Sequence, residues 1–419
     1  MMDKVNILLL GSGGREHAIA RALRRDSVVN ELFIAPGNPG MESLGTCVSL
    51  DITSRGDVAS FAKEHDITLV IPGPEAPLVA GVADAVREVG IAVFGPGKEA
   101  ARLEGSKAFA KEVMNLADVP TAQAYVCESE DEVKKAFADF GAPYVVKDDG
   151  LAAGKGVVVT SEEEEALAHA RACLAKENGR VVIEEYLDGP ELSLFCICDG
   201  VNVVPLEPAQ DFKRAYDDDK GLNTGGMGAY SPLPWIPEGL VEEVVETVAR
   251  PVVDEMARRG APFIGLLYCG LALTSRGVRV IEFNVRFGDP ETQSVLARLK
   301  TPLASLLYSA ATGALSPQKL EWDNNAAVTV VLASEGYPVS SRSGDEITGI
   351  TEAEEVLDAH VIQAGTTTKD GVLVSSGGRV LATVGLGHSV AAARSTAYEA
   401  LSKIHLEGSH YRSDIAKNI

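Results

Sequence analysis

The sequence predicts a multidomain protein of mixed α/β and α+β class, with a parallel α/β unit first, a two-part central unit and a small α+β unit last. Three observations carry this. The chain has 419 residues, more than one hydrophobic core usually supports. Roughly its first hundred residues alternate strand-like and helix-like runs, the pattern of a parallel sheet covered by helices. Later strand-like runs instead come in hairpins such as Leu192–Cys198, the Asp199-Gly200 turn and Val201–Leu206. The expected units are residues 1–104, 105–322 (with a cap subdomain near 120–190) and 323–419.

Composition narrows the partners. Apolar residues make up 46%, ample for packed cores, and the net charge is −22, from 38 basic and 60 acidic residues. An acidic balance argues against nucleic acid and anionic membrane, which need a basic footprint. The six cysteines form no CxxC pair, as expected of reduced, buried thiols in a cytoplasmic protein. The apolar run in MMDKVNILLLG is too short for a signal peptide, and no window is long enough to span a membrane. A monomer working on small molecules is expected.

In the first unit, strand-like runs end at Leu10, Ala35, Ile71 and Phe94, with helical patterns near Arg15–Arg25, Asp57–His65 and Leu78–Val89. Glycine- and proline-rich turns follow the strands, including Gly11-Ser12-Gly13-Gly14 and Pro72-Gly73-Pro74-Glu75. They belong at the carboxyl edge of the sheet, where open α/β sheets bind ligands. GSGGRE invites comparison with the dinucleotide fingerprint GxGxxG, but Glu16 stands at the third glycine's place. A nicotinamide-binding oxidoreductase is therefore the rival from another class. A helix opening after Gly13-Gly14 would hold a phosphate on its free amides, with Arg15 beside it.

The second unit opens near Pro120. Ser129-x-x-Glu132 and Ser161-x-x-Glu164 are capping boxes, each predicting a helix. Between them runs PYVVKDDGLAAGKGVVV, Pro143 to Val159: a strand ending on Lys147, a flap with Gly150, Gly154, Lys155 and Gly156, and a second strand. The glycines allow close approach of a bulky anion, and the two lysines bring compact charge to polyphosphate oxygens. It is not a Walker loop, because a strand rather than a helix follows.

Strand Arg180–Glu185 leads into Tyr186–Glu191, a hinge with backbone donors and acceptors and, at Glu191, a carboxylate suited to ribose hydroxyls. Glu207–Pro234 is too polar and glycine-rich for a core element, and a long loop of this kind is usually functional. It holds Asp211, Lys213 and Asn223-Thr224-Gly225-Gly226-Met227-Gly228. A helix near Glu238–Arg259 precedes a hairpin, Phe263–Leu273 then Val278–Arg286. Period-two alternation puts Glu282, Asn284 and Arg286 on one face and Ile281, Phe283 and Val285 on the other. Glu282 and Asn284 oxygens suit Mg2+, a hard cation that shares its ligands with substrate phosphates. The tail, from about Ala326, gives a strand, two short helical stretches, a Gly371–Gly387 hairpin region and a helix over Val390–Ile404. It holds no catalytic constellation and is expected to pack against the site. The seven histidines are scattered, and none sits in a nucleophile signature.

Six segments in order, GSGGREHAIA, PGPEAPLVAG, VVKDDGLAAGKGVVV, IEEYLDGPELS, NTGGMGAYSP and EFNVRFGDPETQ, resemble the ATP-grasp ligases and, within them, the phosphoribosylamine–glycine ligase family. The resemblance covers essentially the whole chain, with departures at Asp148, Phe212 and Asp218. It implies a pre-ATP-grasp first domain, an ATP-grasp centre and ATP-driven ligation of glycine to 5-phosphoribosylamine through glycyl phosphate. It implies that Lys107, Lys147 and Lys155 hold ATP phosphates, with Gly154 in the flap. Glu184, Glu185, Leu187 and Glu191 line the adenine and ribose pocket, and Glu282 and Asn284 bind Mg2+, with Mn2+ as the alternative. Gly13, Gly14, Arg15, Glu16, Glu75 and Arg286 receive phosphoribosylamine. Asp211, Lys213, Asn223, Gly225 and Gly226 serve the glycine end. Lys147, Lys155, Asp211, Lys213 and Arg286 are the catalytic candidates.

Overall fold

The structure, a computed structural model, describes residues 4–150 and 156–419; the flap candidates Gly154 and Lys155 lie outside them. The first part is a parallel sheet in the order β3-β2-β1-β4-β5, made of β1 (Val5–Gly11), β2 (Val29–Pro36), β3 (Thr46–Cys47), β4 (Leu69–Pro72) and β5 (Ala92–Val93). Leu8 and Leu10 of β1 enter one core while Ile7 and Leu9 enter another. Burial on both faces is why β1 is an unbroken apolar run. β1 is flanked by β2 on one side and β4 on the other, so a crevice opens beyond their carboxyl ends. The turns at Gly11–Glu16 and Pro72–Glu75 stand there.

The cap is an antiparallel sheet, ordered β6-β9-β7-β8, of β6 (Ala124–Cys127), β7 (Tyr144–Asp148), β8 (Val157–Thr160) and β9 (Val181–Glu184). Val146, Val181 and Ile183 bury one face against the helices Glu130–Phe140 and Glu163–Leu174. Lys147 and Glu184 stand on the other face, by the period-two rule. The Ser129/Glu132 capping box forms. The one expected at Ser161/Glu164 does not: the helix opens at Glu163 with no side-chain bond from its cap residue, Glu162. Thr160 takes the role instead, accepting from the Glu162 amide at 3.1 Å and donating to Glu165 at 2.5 Å.

The centre and end of the chain interleave. In order come β10 (Glu191–Asp199), β11 (Val203–Pro205), β12 (Gln210–Asp211), β13 (Arg214–Tyr216), β14 (Lys220–Asn223), β15 (Gly228–Ser231), β16 (Ile264–Thr274), β17 (Gly277–Asn284) and β18 (Ala326–Ala333). One sheet is β11-β10-β16-β17; another runs β12, β15, β18, then Arg379–Gly387 and Ala359–Gln363. The stretch 207–234, expected as a polar functional loop, thus carries four short strands, and Met227, Ala229 and Tyr230 are fully buried. Its glycines mislead because Gly228 is small for packing: a Cβ there would meet the Thr329 carbonyl oxygen at 2.6 Å.

Three smaller expectations change. Gly270 pairs with Glu282 and Leu271 with Val280, so Ile281 is the extra residue of a β-bulge and leaves the core face of Phe283. The helix expected at Glu238–Arg259 spans Leu240–Arg258 and contains a π-helical turn, Val245–Ala249. It widens just before Pro251, whose ring would clash with the carbonyl four residues back. In the tail only one short helix, Ile350–Glu354, precedes Val390–Leu401. No described helix is long and apolar enough to cross a membrane.

Helix Gly14–Arg24 packs on Ala359–Gln363, where His17 Nδ1 accepts the Gln363 amide at 2.9 Å. Burial, then the nearby Arg21, lowers His17 from 6.5 to about 4. Burial and then Arg21, His17 and Arg25 lower His360 to about 3. Both rings stay neutral in the folded chain, so on acidification the unfolded chain protonates first. Thermal stability is expected to be full above about pH 6.5 and to fall progressively toward about pH 3, through the lowered values of both rings. His17→Asn, whose oxygen can still accept from Gln363, should flatten part of that slope. Melting curves of both proteins across this range check it; identical slopes would remove His17 from the account.

Candidate functional site

Two clusters of charge face each other across β17. On the cap side, Lys147 Nζ lies 2.8 Å from Glu184 Oε2 and donates to the Ile281 carbonyl at 2.9 Å. The bulge residue of β17 supplies that carbonyl. The other Glu184 oxygen meets Lys111 Nζ at 2.9 Å, so Glu184 is a buried counter-ion to two lysines. Lys107, first residue of the helix Lys107–Leu116, donates to the Gly150 carbonyl at 3.1 Å. Glu185 accepts from the Gln123 amide at 3.1 Å and pairs with Arg276 at 3.0 Å, while Leu187 beside it is half-buried. A cleft of about 850 Å³ between this helix and β6 is lined by Lys111, Gln123, Arg180, Glu185 and Arg276, among others.

Glu282 marks where the two sides meet. Burial pushes its carboxyl up, but Lys213, Lys147, Lys107 and Arg286 outweigh this and hold it below its ordinary range. Lys213 also pairs with Glu191 at 2.5 Å. It is held above its ordinary range because Asp211, Glu191 and Glu282 overcome the effect of burial. Asp211, at the end of β12, is raised to about 7 by burial, against the pull of Lys213 and with the push of Glu291 and Glu191. Glu291 accepts from Tyr268 Oη at 2.8 Å and from Ser193 Oγ at 3.2 Å.

On the crevice side, Arg286 Nη2 donates to Glu104 at 2.7 Å and to Asn284 Oδ1 at 3.3 Å, with Nε 3.5 Å from Glu75. Arg286 is held above its ordinary range because Glu104 and Glu75 outweigh burial. Arg15 Nη1 is 3.9 Å from the same Glu75 oxygen. The helix amides expected to be free for a phosphate are engaged: Gly13 donates to Glu16 Oε2 at 2.6 Å and Arg15 to Asp289 Oδ2 at 3.1 Å. That arrangement also disfavours the dinucleotide alternative, whose pyrophosphate needs those amides. Burial, with Asp289 nearby and against Arg15, raises Glu16 to about 7. Among the described residues, Glu16 Oε1, Arg286 Nε and Gln293 Oε1 are buried without a hydrogen-bond partner. A cleft of about 380 Å³ is lined here by Gly13, Gly14, Arg15, Glu16, Asp289 and Arg379, among others.

The C-terminal part does more than pack. Arg379 Nη1 donates to the carbonyls of Asp289 at 2.7 Å, Gly225 at 2.5 Å and Gly226 at 3.3 Å. Gly225 and Gly226 thereby join the crevice, whereas Asn223 pairs with Arg214 in the β13–β14 hairpin. Nothing in the local sequence marks Glu104, Lys111 or Arg379, each in an ordinary helix or strand. Asp289 and Glu291 stood in a carboxylate-rich run after β17. Among the described residues no three His, Cys, Asp or Glu side chains gather as a metal site. Glu282, kept ionised, and the Asn284 amide oxygen are two hard donors on one strand face, a set that fits an ion drawing its other ligands from phosphate and water.

Three family profiles match in succession: phosphoribosylglycinamide synthetase N domain over residues 5–104, its ATP-grasp (A) domain over 105–292 and its C domain over 327–418. The phosphoribosylamine–glycine ligase of Streptomyces coelicolor is 60% identical over 415 residues, 98% of this chain and 99% of that protein. The crystal structure of phosphoribosylamine–glycine ligase from Thermotoga maritima matches with a TM-score of 0.85 at 35% identity, covering 98% of this chain and 100% of that one. A biotin carboxylase domain of 2-oxoglutarate carboxylase from Hydrogenobacter thermophilus, crystallised with MgADP, ADP and bicarbonate, shares the fold at 16% identity with a TM-score of 0.73, over 98% and 92% of the two chains. With all three parts of the chain matched in order and a relative this similar along its full length, the chain belongs to the phosphoribosylamine–glycine ligase family.

Proposed function

We propose that this chain is a carbon–nitrogen ligase that joins glycine to 5-phosphoribosylamine in de novo purine biosynthesis, forming glycinamide ribonucleotide, ADP and phosphate. One observation carries the reading at the level of residues. β17 sets Glu282 among the lysines of the cap side and ends at Asn284, and Arg286, two residues past its end, stands against the crevice of Gly13–Glu16 and Glu75. A phosphate donor and a phosphorylated acceptor can then meet on one strand.

Lys107 and Lys147, with Lys155, meet the ATP phosphates, and the hinge at Glu185–Leu187 with Glu191 takes adenine and ribose. Glu282 and Asn284 would hold Mg2+, or Mn2+, which supplies charge neutralisation between phosphates and carboxylate. A glycine carboxylate oxygen attacks the γ-phosphorus and ADP leaves. The amine nitrogen then attacks the acyl carbon, and phosphate departs with that oxygen while the amine gives up a proton. No enzyme nucleophile is needed, so the side chains position and stabilise charge. Asp211 and Lys213 face the glycine end, with Arg286 and Arg15 toward the phosphoribosylamine. The units 1–104, 105–322 and 323–419 divide these tasks. The partners are small molecules, and we place the enzyme in the cytoplasm, in keeping with free, mostly buried cysteines; we take it to be a monomer.

ADP formation is expected to require ATP, Mg2+, glycine and phosphoribosylamine together. With glycine labelled by 18O in its carboxylate, the label should appear in inorganic phosphate. Phosphate free of label would rule out the acyl phosphate. Glu282→Gln should lower kcat on the order of a hundredfold, since it removes charge next to the developing transition state, while the melting temperature stays near wild type. Phe283→Ala, on the opposite face, should instead cost about 3–5 kcal/mol of stability through the cavity it leaves. Early melting of Glu282→Gln with full turnover would make Glu282 structural.

A further inference from the structure

A closed ring of hydrogen bonds ties the helix Lys107–Leu116, the cap sheet and β17 together, and Lys111 stands within it. An ammonium group has three N–H donors. Those of Lys111 face Glu184 Oε1, Thr121 Oγ1 and the Ala122 carbonyl, each at 2.9 Å. Thr121 in turn donates to the Val280 carbonyl at 2.6 Å, and the Val280 amide donates to Pro120 at 2.9 Å. The ring closes through Glu184 Oε2, Lys147 and the Ile281 carbonyl. The two lysines are bound alike but left unequal. Among the described residues Lys111 has three acceptors for its three donors, whereas Lys147 has two and one donor to spare.

We propose that Lys111 is a positioning residue for Lys147: by fixing the Glu184 carboxylate between two ammonium groups, it aims the one unspent N–H of Lys147 at the nucleotide phosphates. The inference rests on the proposed role of Lys147 in meeting ATP. Lys111 itself touches no phosphate, because nothing remains for it to donate. Its side chain is 11% exposed and that of Lys147 4%, so neither ion pair is a loose surface contact. With Lys111 neutral, Glu184 would answer Lys147 alone, drawing that ammonium toward itself and cancelling the charge a phosphate would feel. Two lysines to one carboxylate leave a local surplus of positive charge; one to one leaves none.

The probe is ADP with Mg2+, titrated calorimetrically into the full-length protein, alongside thermal melting. Lys111→Met is expected to weaken ADP binding about tenfold, roughly the worth of one charge-assisted hydrogen bond. Lys111→Arg, which restores a cation opposite Glu184, should recover most of the loss. Should Lys111→Met not fold, Lys111→Gln decides in its place. Its amide can still bond Thr121 and Ala122 but brings no charge to Glu184, so the same tenfold weakening is expected. Lys147→Met separates the two levels of the argument. If it binds ADP as wild type does, the nucleotide role of Lys147 falls, and the proposal with it. If Lys147→Met weakens binding while a folded Lys111→Met or Lys111→Gln stays within about twofold of wild type, only the positioning role of Lys111 is overturned. Failure of Lys111→Arg to restore affinity would likewise overturn it, because charge opposite Glu184 would then not be what matters.

Discussion

A buried charge must be answered at hydrogen-bond range, and in this protein that requirement fixes where the parts of the chain meet. Glu104 binds Arg286 at 2.7 Å, and Arg286 faces Glu75 at 3.5 Å. Glu75 lies 3.9 Å from Arg15, whose backbone and guanidinium both approach Asp289, and Asp289 pairs with Arg379 at 3.4 Å. These residues come from helices of the first unit, the segment after β17 and the C-terminal sheet. Taking one out would leave its neighbour buried and unanswered, which costs more than the pair itself contributes. The crevice is therefore held in shape before any substrate arrives.

The same constraint explains how an acidic chain offers a home to anions. With a net charge of −22, no broad positive field draws them in. Each cation near the site is instead partly neutralised by a carboxylate already in place, as Lys213 is by Glu191 and Lys147 by Glu184. An entering phosphate or carboxylate must share or displace these partners. Affinity then comes from geometry, and an anion of the wrong shape meets carboxylates first. Asp211 and Glu16 are both raised to about 7, chiefly by burial, with neighbouring carboxylates (Glu291 and Glu191 for the one, Asp289 for the other) adding to it.

Much of this was legible in the sequence. The unbroken apolar run of β1 reflects burial on both faces, and the glycine- and proline-rich turns after β1 and β4 mark the crevice. Glu282 and Asn284 keep their period-two spacing on β17, and Arg286, just past the strand's end, reaches back to Asn284. What was hidden is what depends on partners far along the chain. Arg379 reaches the Asp289 carbonyl across 90 residues, and nothing around Arg379 in sequence reflects that contact. Lys111 looks like any solvent-facing helix lysine until Glu184 is brought beneath it. Gly228 looks like a loop glycine because strand-on-strand closeness and loop freedom both call for the smallest residue. The bulge at Ile281 escaped for a related reason: alternation records which face a residue takes, and an inserted residue shifts the count without changing composition.

The burial of β15 beside β18 bears on how the protein is made. β15 emerges from the ribosome with its sheet partner still roughly a hundred residues behind, which at about 5–20 residues per second is a wait of some 5–20 s. Over that interval Met227, Ala229 and Tyr230, fully buried in the finished fold, have only the two-residue β12 to pair with on one edge, and the other edge stays open. The nascent chain must shelter an apolar strand with one open edge until β18 appears, so the step most exposed to misassembly is the late arrival of the C-terminal sheet.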